Sequence, residues 1–272
     1  MSVATYGEQL FEEYLNAHGV KYEREPDLPG IPERIDVVID HPTFGKILLD
    51  VKDVENEPPG LGYGAFDPYR PIRTHIDAGK KKFRNCANYL CGLVLAAPPT
   101  SFVMLSEPTT IMGAMYGNIG WQLPVNVETG TADPDAMQTI YIPGQGKMIR
   151  RTQVQNTRIA ALAIINNYSV WHSAMRKYMN TDDGRDRKER YVEIMQGEAN
   201  LPDYDLNISG VTVWENAVAS RKLPKDLFRG DMDAWWEVID GCQVPTFIGA
   251  RRKELEIDKG ALEPMGFWPL PD

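Results

Sequence analysis

The chain alternates between segments with an apolar stripe at helical spacing and short apolar runs of strand length. Residues 6–18 set Leu10, Phe11, Tyr14, Leu15 and His18 along one side of a helix, and Gly19 supplies a stop. Residues 20–25 read as a first strand, after which Pro26, Pro29, Gly30 and Pro32 impose an irregular connection. Two further strands are predicted over 34–40 and 46–53, joined as a hairpin through the short turn 41–45. Residues 56–71 contain four prolines and three glycines and are expected to be a loop. A basic helix follows over 72–89 with Pro71 suited to its first turn. The run 91–97, closed by Pro98 and Pro99, reads as a buried strand. The order is helix, three strands, helix, strand.

Past residue 100 the pattern is less regular. Residues 100–150 suggest short β pieces with many turns, an inserted or appended sheet. Residues 158–167 form a buried segment whose pattern fits strand or helix. Helices are expected over 169–179 and 185–195, divided by the charged turn 180–184, and a strand over 211–214. After about residue 222, Pro and Trp mix without clear periodicity. The expected organisation is a core over 1–100, strands and helices that complete or extend it over 101–222, and a C-terminal extension of unknown role over 223–272. The fold class is α/β, with a central mixed sheet and an additional α+β C-terminal region.

Composition narrows the function classes. At 272 residues, 43% hydrophobic and 25% charged, the chain has the make-up of a soluble globular protein. No apolar run reaches the roughly 18 to 20 residues of a membrane span. The N-terminus lacks the basic start and apolar stretch of a secretory signal. Cys86, Cys91 and Cys242 are an odd count without a zinc-type pair, which fits reduced thiols and a cytoplasmic setting. A net charge of -9 argues against non-specific coating of nucleic acid, which needs clustered Lys and Arg. It leaves room for an enzyme with local acid for a metal and a local basic rim.

The candidate chemistry lies in the second and third strands: Asp36, then Asp50, Val51 and Lys52 fourteen to sixteen residues on. Alternation puts Asp50 and Lys52 on one face, roughly 6.6 Å apart along the strand, with Val51 turned to the core. The hairpin brings Asp36 opposite Asp50. Mg2+ or Mn2+ prefers hard oxygen ligands and keeps several waters, so two carboxylates and the Val51 carbonyl are a sufficient set. Lys52 would orient the attacking water or steady charge on phosphoryl oxygens. An Asp-x-Lys triplet alone arises often by chance, and Asp at a strand end is a common cap. Here the flanking Ile47-Leu48-Leu49, Ile35 and Val37 make such polar residues costly to bury unless paired or ion-bound.

On these residues, residues 6–97 resemble the PD-(D/E)xK nuclease superfamily, the restriction-endonuclease-like and Holliday-junction-resolvase-like fold with its αβββαβ core. Asp36 matches the first motif aspartate, Asp50 the second acidic residue and Lys52 the motif lysine. Ile35 stands where the superfamily's name has proline. Glu8 matches a helical glutamate that some branches add to the metal site, although a glutamate in a first helical turn is also favoured by the helix dipole alone. The resemblance implies Mg2+- or Mn2+-dependent hydrolysis of nucleic acid, DNA more often than RNA, and by analogy a homodimer or larger complex. A non-catalytic nucleic-acid-binding or assembly protein that retains the fold is the rival reading.

Substrate is expected along Lys80-Lys81-Lys82-Phe83-Arg84, the densest basic cluster, with Lys80 nearest the site. A solvated helix face is the bland alternative. Tyr63, Phe66 and Tyr69 are candidates for base stacking or a lid, and Arg150, Arg151 and Arg158 form a weaker phosphate patch. His18, His41, His75 and His172 have no partner at zinc spacing, and no Walker-type phosphate loop occurs.

Overall fold

The first helix of the computed structural model, α1 (Tyr6–Ala17), starts on a capping box. The Thr5 hydroxyl accepts from the Glu8 amide while the Glu8 carboxylate accepts from the Thr5 amide. The Asp53 carboxylate, brought from a distant strand, accepts from the Tyr6 and Gly7 amides at 3.1 and 2.6 Å. It therefore sits at the positive end of the helix dipole. Gly7 makes this approach possible, since a Cβ there would lie 2.5 Å from Asp53 Oδ1 and 2.9 Å from Ala96 Cβ. Leu10, Phe11, Tyr14 and Leu15 turn inward. Gly19, at φ +64°, lets the chain leave the helix. The structure describes residues 4–55, 67–101, 103–122, 129–131, 138–142, 146–150, 153–169, 174–175, 178–179, 181, 184–202, 207–230, 232–239 and 242–247.

Strands β1 (Tyr22–Arg24), β2 (Val37–His41), β3 (Gly45–Asp53) and β4 (Leu90–Ala96) begin the main sheet. Helix α2 (Arg70–Lys82) and a 3-10 turn (Phe83–Asn85) connect β3 to β4. After α3 (Pro108–Tyr116), β5 (Asn118–Gln122) pairs with β6 (Gln138–Ile142), and β7 (Ile149–Arg150) with β8 (Gln153–Val154). β9 (Ile159–Ser169), β10 (Asn207–Glu215), β11 (Ala234–Ile239) and β12 (Cys242–Phe247) return to the main sheet, with α4 (Arg187–Met195) between β9 and β10. The eight strands run in the order β1-β2-β3-β4-β9-β10-β11-β12. Pairs β3–β4, β4–β9 and β10–β11 are parallel and the rest antiparallel, so the protein is α/β with a mixed sheet.

The sheet separates two apolar layers. On one face α1 packs against Ile47, Leu49, Val51 and Val94. On the other, Ile72, Ile76 and Phe83 of the α2 region pack with α3 against Leu48, Leu93 and Leu95. Strand alternation therefore turns Asp50 toward α2 and Val51 toward α1. Gly79 lets α2 lie close to the sheet, because a Cβ there would fall 2.8 Å from the Leu93 side chain. Leu93 is the parallel neighbour of Asp50, so the close approach occurs beside the acidic residue.

Several expectations need correction. The strand placed at 34–40 begins pairing only at Val37, leaving Asp36 in the bend just before it. The helix placed at 72–89 starts earlier, ends at Lys82 and tightens into the 3-10 turn. Within 100–150 the β pieces share the segment with α3, which is buried on every side and so has no amphipathic period. The segment at 158–167, whose pattern leaves strand and helix both open, is the strand β9, and the aperiodic tail supplies β11 and β12. The helix expected over 169–179 is seen only in part: Ser169 closes β9, while 174–175 and 178–179 are helical. Tyr63, Phe66, Arg151 and His172 lie outside the described residues.

Candidate functional site

Asp36 reaches the site because it does not join the ladder. The register that pairs Val37 with Leu49 sets Asp36 across from Asp50. Instead of a backbone carbonyl, the Asp36 carboxylate takes the Val51 amide, at 2.8 Å. That bond fixes the carboxylate beside Asp50 and satisfies a buried donor at the same time.

Asp50 is fully buried and Lys52 half-buried, both on the α2 face. The Lys52 ammonium donates to Asp50 Oδ1 at 2.9 Å, to the Val51 carbonyl at 2.9 Å and to Asp36 Oδ2 at 3.3 Å. A second ammonium comes from α2: Lys82 donates to Asp36 Oδ1 at 3.1 Å and to Asp50 Oδ1. Two carboxylates and two ammonium groups thus form one cluster of zero formal charge. Asp50 Oδ2 is buried with no hydrogen-bond partner among the described residues.

The electrostatics follow from this packing. Burial, with the Asp36 carboxylate beside it, pushes the Asp50 carboxyl up to about 6 against the pull of Lys52 and Lys82. Burial also acts upward on Asp36, but the neighbouring Asp50 carboxyl, which takes up a proton first, and the charges of Lys52 and Lys82 outweigh it and hold the group below the usual range. Burial disfavours the Lys52 charge, yet Asp50 and Asp36 more than offset this and raise its pKa. His75 lies on the same flank of α2 as Lys82. Burial, aided by the Lys52 charge, keeps its imidazole below the usual range against a hydrogen bond with the Asp53 backbone.

Of the expected site residues, Asp36, Asp50, Val51 and Lys52 come together. Glu8 is otherwise engaged: its carboxylate meets the Thr5 amide at 3.1 Å and Arg24 at 3.4 Å. Among the described residues no three His, Cys, Asp or Glu side chains form a metal-binding group. Lys82, and not Lys80, is the basic-cluster member on the carboxylates. Lys80, Lys81 and Arg84 are exposed. Arg158 donates to the Phe83 carbonyl at 3.3 Å, bracing the end of the α2 region. His41 faces Asp226 at 3.2 Å, and the His18 ring lies tilted against that of Tyr14. No helix among the described residues is long and apolar enough to cross a membrane.

The residues present suit a hard divalent cation. Two carboxylates and a backbone carbonyl are all oxygen donors. The buried, unpartnered Asp50 Oδ2 has a desolvation cost that either a proton or a cation relieves. No protein-family model matches the chain, and no curated protein or solved structure shows detectable similarity to it.

Proposed function

We propose that this chain is a metal-dependent nuclease with a restriction-endonuclease-like core, related to the PD-(D/E)xK superfamily, that hydrolyses phosphodiester bonds of nucleic acid, DNA in preference to RNA. The observation that carries this reading is the meeting of Asp36, Asp50 and Lys52 on one sheet face, around a buried carboxylate oxygen that lacks a partner. The order α1-β1-β2-β3-α2-β4 supports the family assignment.

Asp36, Asp50 and the Val51 carbonyl would hold Mg2+ or Mn2+, which when bound supplies Lewis-acid polarisation of water and of the scissile phosphate. Lys52, anchored by the Val51 carbonyl and charged at neutral pH, orients the attacking water and steadies charge on the phosphoryl oxygens. Lys80, Lys81 and Arg84 form an exposed basic rim that attracts the phosphate backbone without reading sequence. Cleavage of both strands of a duplex calls for two such centres, which a homodimer provides by symmetry.

The test is cleavage of linear, branched and single-stranded DNA and of RNA, with Mn2+ or with chelator. Wild type is expected to cut in Mn2+ only, and Asp36→Asn and Lys52→Ala to lose activity while remaining folded. Equal cutting by all three proteins would assign the activity to a contaminant. Intact substrates throughout would favour the binding or assembly role.

A further inference from the structure

The carboxylate pair is matched by one more ammonium group than the proposed chemistry uses. Lys52 is tied to its own strand through the Val51 carbonyl and has a place in that chemistry. Lys82 has no such anchor: its contacts in the cluster are the two carboxylates themselves, Asp36 Oδ1 and Asp50 Oδ1. It is the last residue of α2, on a flexible four-carbon stem, with 19% of its side chain exposed. The Asp36 and Asp50 oxygens it occupies belong to the set that would hold the cation.

Charge accounting makes the two occupants compete. With both lysines in place the cluster is neutral, from two negative and two positive charges. A divalent cation added to that arrangement leaves an excess of two positive charges in a largely buried place. Moving Lys82 out halves the excess and frees carboxylate lone pairs. Its side chain is already partly exposed, and its sequence neighbours Lys81 and Arg84 are solvated.

We propose that Lys82 is a resident counter-ion that closes the cation site and must leave for a divalent ion to enter, so that it sets the metal concentration at which the site loads. This inference rests on the metal-site reading above and extends it. Such a lysine keeps the acidic pair neutral and folded when metal is scarce.

The experiment is calorimetric titration of Mn2+ into full-length wild type, Lys82→Met and Lys82→Gln at neutral pH, with circular dichroism to verify folding. Apparent affinity is lowered by the fraction of molecules that are competent to bind, so both variants are expected to bind Mn2+ roughly tenfold more tightly or better. Unchanged or weaker binding in folded variants, with clear binding to wild type, would overturn the counter-ion role and leave the metal site standing. No Mn2+ binding to any of the three proteins would overturn both. The glutamine variant retains a polar side chain, so agreement between the two separates loss of charge from loss of packing.

Discussion

Replacing Asp50 with asparagine removes the charge that the fold accommodates least well. The native carboxyl titrates at about 6 because it is buried beside Asp36, whereas an unfolded aspartate titrates at about 3.9. The native state therefore binds more protons between these values, and stability from this group is complete below the lower one and lost as pH rises through about 6. Two units of difference correspond to about 3 kcal/mol at pH 8, with about half of that at pH 5. For a chain of this length, 3 kcal/mol is about 5 °C in melting temperature. The assay is thermal denaturation of wild type and Asp50→Asn in chelator across pH 5 to 8. The variant is expected to gain on wild type as pH rises, ending about 5 °C higher at pH 8. A difference that stays flat with pH, or grows toward acid, would refute the reasoning.

Tyr14 donates to the buried Asp233 carboxylate, which also accepts from the Val211 amide at 2.7 Å and the Gly230 amide, and so ties α1 to β10 and to the start of β11. Tyr14→Phe is expected to cost about 1–3 kcal/mol, measured by urea denaturation. An unchanged midpoint would show that the hydroxyl contributes nothing. Joint replacement of Lys80, Lys81 and Arg84 by alanine is expected to weaken DNA binding and reduce the salt slope of log K by up to about 3. An unaltered salt slope would remove the basic rim from substrate binding.

Legibility in the sequence followed packing. α1 could be read because its apolar residues lie on one side only, and β3 and β4 because they are short apolar runs ended by polar residues. α3 could not, since Ile111, Met112, Ala114, Met115 and Tyr116 are all buried and leave no periodic contrast. Asp36 was recognisable as a candidate site residue from its partners at 50 and 52. Its place outside the strand was not, because a side-chain bond to the Val51 amide substitutes for a backbone one. Lys80 and Lys82 flank opposite sides of the buried stripe formed by Ile72, Ile76, Gly79 and Phe83. Spacing shows both flanks, and only the seating of Gly79 on Leu93 decides which one meets Asp50. Asp53 was legible as a strand end, but its service to the α1 amides spans 46 residues and leaves no local trace.

The most direct measurement is anomalous X-ray scattering from crystals grown with Mn2+. The expected map has one peak per chain in contact with the Asp36 and Asp50 carboxylates and the Val51 carbonyl, with the Lys82 ammonium moved off both aspartates. Ordered carboxylates that carry no peak at saturating Mn2+, or a peak bound elsewhere, would contradict the assignment of this cluster as a metal centre.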